Sequence, residues 1–154
     1  MEYDVVAEFE ACLVGRSCVI GRGEHGWAFD LTGGVFLTVS CPWRIVSGGG
    51  IAFGSGDHGE LFGGTSPVDG EAEAQGALDG KVITAASVDR QTADLTLQFG
   101  QETRIDLFNA SLGHEGWQAG YGPRENGWSV IALGGGELSL IGIDLNEPRF
   151  ATED

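Results

Sequence analysis

The sequence predicts an all-β protein, built from internally duplicated hairpin-plus-strand units that form a sandwich or a partly open barrel, with few short helices. Three observations carry this. Apolar residues alternate over short runs separated by glycine turns, a period of two. No amphipathic stretch of about 12 residues or more is present, which disfavours a βαβ architecture. The same succession of signals occurs twice along the chain, the mark of an internal repeat.

The elements follow in order. Val5 to Val14 can place Val6, Phe9 and Leu13 on one helical face, although a strand there is equally consistent. Leu13-Val14-Gly15-Arg16, followed by Cys18-Val19-Ile20, opens the first half. Leu78-Asp79-Gly80-Lys81, followed by Val82-Ile83, opens the second. Both read Leu-x-Gly-basic and then a β-branched run. Phe29 and Leu31, then Val35, Leu37 and Val39 across Gly33-Gly34, give one hairpin. Leu95, Leu97 and Phe99, then Thr103, Ile105 and Leu107 across Gly100-Gln101, give another. Each half then reaches a tryptophan, Trp43 or Trp117, expected to be packed at a sheet end. Ser129 to Leu133 and Leu138 to Ile143 read as two further strands around Gly134-Gly135-Gly136. Residues 63–76 have linker composition, with Pro67 and Asp69-Gly70; a helical turn over Glu71 to Leu78 is limited by Gly76. The expectation is one domain, 1–154, made of halves at about 12–62 and 77–143.

Composition then narrows the partners. The 154 residues carry 23 acidic and 8 basic side chains, a formal charge of -15. The halves share it: 11 acids against 3 bases before Ala77, and 12 against 5 from there on. A surface of that sign repels phosphate, which disfavours nucleic acid and anionic membranes as partners. The first nine residues carry Glu2, Asp4 and Glu8, unlike the basic start of a secretory signal, and no run approaches the length of a membrane helix. A cytoplasmic protein is expected. Three cysteines, Cys12, Cys18 and Cys41, are an odd count without regular spacing and read as small buried apolar residues.

Motifs with chemical content are few. Gly21-x-Gly23-x-x-Gly26 and Gly54-x-Gly56-x-x-Gly59 match the dinucleotide fingerprint in letters only. No helix follows either, so they read as turns, and no cofactor is expected. His25, His58 and His114 each sit beside an acid and a glycine, in Glu24-His25-Gly26, Asp57-His58-Gly59 and His114-Glu115-Gly116. They are the candidate metal ligands, should their three loops converge. No H-x-H, C-x-x-C or H-E-x-x-H spacing supports them, and no G-x-S-x-G elbow marks a hydrolase. Neither the carboxylate pairs Asp57/Glu60 and Glu115/Asp106 nor any cysteine–histidine pair is singled out. No catalytic residue is assigned. Trp27 and Trp128 lie near turns and are expected to be partly exposed; with Glu24, Asp57 and Glu115 they are the candidate partner contacts.

Leu78-x-Gly80-Lys81-Val82, Leu95-x-Leu97-x-Phe99, Glu115-x-Trp117 and Gly134-Gly135-Gly136-Glu137-Leu138, with Pro42-Trp43-Arg44-Ile45 in the first half, resemble an uncharacterised bacterial family of small duplicated β domains. This chain departs from it at the strand turns, where Gly33-Gly34 and Gly100-Gln101 stand in place of Asp-Gly. The resemblance implies the same duplicated β fold over most of the chain and carries over no catalytic residues. Two function classes follow. One is a non-enzymatic protein-binding module, such as an immunity-type inhibitor of a basic partner, which charge would steer to its target. The other is a small-ligand or metal-binding protein, conceivably a hydrolase, using the loop histidines and carboxylates. Binding is preferred over catalysis. A homodimer through an open sheet edge is a further expectation.

Overall fold

A computed structural model describes residues 4–122 and 127–153 of the chain. Glu2 of the acidic N-terminal segment lies outside them. Helix α1, Val5–Leu13, begins where the Asp4 carboxylate accepts the backbone N–H groups of Val6 and Ala7, an N-cap worth about 1 kcal/mol. Phe9 and Leu13 form its buried face, which settles the helix-or-strand alternative in favour of the helix. Strands β1 (Val19–Gly23), β2 (Gly26–Leu31) and β3 (Val35–Val39) form a meander, and β4 (Trp43–Ser47) and β5 (Gly50–Gly54) a hairpin. Helix α2, Gly70–Leu78, follows, capped by Asp69. It runs straight through Gly76, where the sequence allowed no more than a turn. Capping by Asp69 and burial of Ala74 and Leu78 outweigh the roughly 1 kcal/mol propensity cost of that glycine. Strands β6 (Ala85–Val88), β7 (Leu95–Phe99) and β8 (Thr103–Leu107) repeat the meander, and β9 (Trp117–Tyr121), β10 (Trp128–Ala132) and β11 (Leu138–Ile141) complete the chain.

The eleven strands make two antiparallel sheets, ordered β1-β2-β3-β9-β10-β11 and β5-β4-β8-β7-β6. The architecture is a sandwich, not a closed barrel. Each sheet holds a meander from one half and a hairpin from the other. Trp43 pairs with Leu107 and Trp117 with Val39, so the crossing occurs at matching positions. The alternation fixes the register: Phe29, Leu31, Val35, Leu37 and Val39 face inward, as do Leu95, Leu97, Phe99, Thr103, Ile105 and Leu107. A register slipped by one would turn every one of them to solvent.

The helices close the two open sides. α2 packs on β1, β5 and β4, and α1 on β6, where Glu10 accepts the Val88 N–H at 2.7 Å. Beneath α1, Phe9 stacks on Trp117 at 5.9 Å and meets Trp128 edge-on at 6.1 Å. Near α2, Trp43 collects Trp27, Phe29 and Phe53 at 5.1–5.5 Å. The Leu-x-Gly-basic motif now has a physical role. Gly15 and Gly80 turn the chain with φ of +89° and +73°. Arg16 then donates back to the Cys12 carbonyl and Lys81 to the Ala77 carbonyl, both at 2.8 Å, satisfying the helix C-termini with positive charge.

Candidate functional site

A concavity of about 700 Å³ lies at one end of the sandwich between the β3–β4 connection and the long β8–β9 loop. Ser40 and Cys41 both donate backbone N–H groups to the Gly116 carbonyl, at 2.8 and 3.0 Å, and Phe108 donates to Pro42 at 2.9 Å. These bonds lock the two connections together. Ser111 Oγ accepts the N–H groups of Gly113 and His114, which shapes the rim. Cys41, Asn109 and Gly116 lie deeper; Ser111, His114 and Glu115 line the more exposed part.

Asn109 organises the base of this cleft. Its backbone N–H donates to Asp94 Oδ1, and its Nδ2 donates to the carbonyls of Thr92 and Leu133 at 2.9 and 3.0 Å. Its Oδ1 is buried without a partner among the described residues, against the Cα of Gly116. A side chain at position 116 would collide with that oxygen, so the Glu-x-Trp segment needs its glycine. Trp117 adds a bond from Nε1 to the Ala93 carbonyl at 2.8 Å. Asn109 and Trp117 together hold the turn before β7, in which Ala93 takes a left-handed φ of +62°.

The chemistry available in the cleft is restrained. Burial pushes the Cys41 thiol up to about 11, so it stays protonated and is a poor nucleophile at neutral pH. Cys18 is pushed to about 12 by burial first and by the Asp30 charge second, and Cys12 is raised by burial. All three thiols are free, and only Cys12 is partly exposed.

The three histidines occupy three different loops. His25 is exposed in the two-residue turn of the β1–β2 hairpin, within the first glycine motif. His58 lies half-buried in the segment after β5, where Nδ1 accepts the Gly70 N–H at 3.0 Å and the ring meets Trp27 edge-on. His114 is exposed at the cleft rim. Among the described residues, no three His, Cys, Asp or Glu side chains come together in an arrangement that could hold a metal ion. The second glycine motif is also structural. Asp57 Oδ2 accepts the Gly54 N–H at 2.9 Å, and Ser55 Oγ accepts that of Trp43.

The tryptophan expectation is corrected. Trp27 and Trp128 are 8% and 3% exposed, not surface residues. They take the inward positions of β2 and β10, in step with Phe29 and Leu31 and with Val130 and Ala132. Trp128 Nε1 donates to the Ala151 carbonyl at 2.8 Å. Glu24 and Glu115 remain exposed, whereas the Asp57 carboxylate is engaged in its turn.

The electrostatics set the surface apart more than any cavity does. Asp106 is the only buried carboxylate among the described residues, held by Arg44 and Arg104 at 3.0 and 3.1 Å. The remaining described cations each have a partner within the chain, although Arg22, Arg90 and Arg149 are exposed. Arg16 and Lys81 close the helices, Arg22 lies over the Trp27 ring, and Arg90 and Arg149 pair with Asp4 and Glu147. Most other acids face solvent, including Glu8, Asp30, Glu60, Asp69, Glu71, Glu73, Asp79, Glu102 and Glu137. No helix among the described residues is long and apolar enough to cross a membrane. No protein-family model, curated protein or solved structure matches the chain.

Proposed function

We propose that this protein is a non-enzymatic binding module for a basic protein partner, acting in the cytoplasm in the manner of an immunity-type inhibitor. The supporting observation is the balance of charge at the surface: exposed carboxylates far outnumber exposed cations among the described residues, and Arg90 and Arg149, two of those cations, are each paired with an acid. Such a surface steers a basic partner toward contact, and its carboxylates can occupy a cationic groove that otherwise receives phosphate. The resemblance to small duplicated β domains belongs to the same proposal.

Co-purification with the product of a neighbouring gene, followed by titration calorimetry at several salt concentrations, tests it. Affinity should fall about tenfold or more between roughly 0.05 and 0.5 M salt, as the Debye length shrinks. Salt-insensitive binding, or no basic partner, overturns it. One observation favours a second reading, a small-ligand site: the cleft beside Cys41, His114 and Glu115. Chemical-shift changes confined to Ser111–Gly116 on adding a small-molecule library would support that reading instead.

A further inference from the structure

Matching the halves element by element leaves one strand over. The meanders β1-β2-β3 and β6-β7-β8 correspond, and so do the hairpins β4-β5 and β9-β10. β11 has no counterpart. It lies antiparallel along the outer edge of β10, from Ser129 opposite Ile141 to Ala132 opposite Leu138. Its Leu138 and Leu140 pack against the core. Among the described residues no strand takes the corresponding place along the outer edge of β5, which ends its sheet. Among the described residues, the backbone of Gly50–Phe53 makes no hydrogen bond beyond its ladder with β4.

An open edge invites pairing with another chain, and proteins usually blunt it with charge, proline, a bulge or a cover. Here residues 46–56 contain no charged residue and no proline. β5 has a bulge at Ala52, and α2 packs on it at Phe53, while Gly50, Ile51 and Ala52 stay exposed. Ile51 stands 64% exposed. Acids predominate nearby, and Arg44, opposite Gly54 on β4, is paired with Asp106. Residues 45–80 hold Asp57, Glu60, Asp69, Glu71, Glu73 and Asp79 and no lysine or arginine. α2, which carries Glu71 and Glu73, packs on β5 itself.

We propose that the free edge of β5 is a strand-addition site, which takes an extended segment of the basic partner antiparallel to Gly50–Phe53. The segment supplies backbone hydrogen bonds and apolar side chains at alternate positions, as β11 does in the other sheet, with basic residues toward the surrounding carboxylates. The inference rests on the basic-partner reading and names the surface that reading would use.

Two peptide probes test it: the β11 sequence Leu-Ser-Leu-Ile flanked by lysines, and the same sequence flanked by glutamates. Backbone amide exchange of the intact protein is followed by NMR. The lysine-flanked peptide should slow exchange within Gly50–Phe53 by about tenfold or more, and the glutamate-flanked one much less. Replacing the peptide's serine by proline, which removes a donor, should abolish the protection. Protection at another edge, none at all, or equal protection by the proline peptide overturns the site. So does protection of the same amides in the free protein that grows with its concentration, since the occupant would then be a second copy. Equal protection by both flanked peptides leaves the edge standing and overturns the preference for a basic partner. Binding of a basic partner with Gly50–Phe53 unprotected does the reverse.

Discussion

Trp43 pairs with Leu107 across the β4–β8 ladder, although the two residues belong to opposite halves of the chain. Their counterparts, Trp117 and Val39, do the same across β9–β3. Each tryptophan therefore sits where one half's hairpin crosses onto the other half's meander. Both are 1% exposed, yet their polar atoms differ. Trp117 Nε1 donates to the Ala93 carbonyl, whereas Trp43 Nε1 is buried without a partner among the described residues.

That difference separates two substitutions of equal size. Trp117→Phe strands the Ala93 carbonyl and loosens a left-handed turn. Trp43→Phe strands nothing and removes an unsatisfied N–H. Trp117→Phe should cost about 1–3 kcal/mol more than Trp43→Phe. Urea denaturation with unchanged m values checks this. Equal losses would show that the Trp43 indole finds a partner in solution.

His58 serves the joint between the β5 loop and α2. His58→Ala removes the acceptor of the Gly70 N–H and the edge contact with Trp27, and should cost about 1–2 kcal/mol. The fall in Tm should be the same with and without added Zn²⁺. Zinc raising the Tm of the native protein but not of His58→Ala would restore the metal-ligand role considered for this residue.

The buried thiols predict an alkaline weakness. In the unfolded chain a cysteine ionises near 9.0, while in the fold Cys18 and Cys41 hold their protons to about 12 and about 11. The native state thus binds protons that the unfolded state releases. The thiol contribution to stability is complete below the unfolded pKa and is lost as pH rises from there toward the folded values. Tm should decline over that window, and Cys18→Ala should make the decline shallower. An unchanged slope would mean that the thiol ionises in the native state as readily as in the unfolded one.

The period-two runs made both meander hairpins legible, because alternation alone fixes which side chains turn inward. The same rule places Trp27 and Trp128 inside, in step with Phe29 and Val130, although both stand near turns, where exposure is expected. The face of α1 was visible in Val6, Phe9 and Leu13, but those residues left a strand equally consistent. α2 was obscured by its small side chains and by Gly76, and its cap, Asp69, read as part of a linker. The exchange of hairpins between the sheets left no local trace. Nothing in Trp43-Arg44-Ile45 distinguishes pairing with β3 from pairing with β8, since either neighbour offers an apolar ladder. The base of the cleft was equally hidden, because Asn109 gains its importance from three remote groups, on Thr92, Asp94 and Leu133.

The exchange of hairpins orders events at the ribosome. The sheet built from β4 to β8 has all its strands once Leu107 has been synthesised. The other sheet must wait for Trp117 to Ile141, while β1, β2 and β3, made first, stand with one long edge unsatisfied. Phe9 waits as well, because it rests on Trp117 and Trp128. Phe9, among the first residues translated, is therefore among the last to complete its contacts, although α1 can dock on β6 once Val88 has been made.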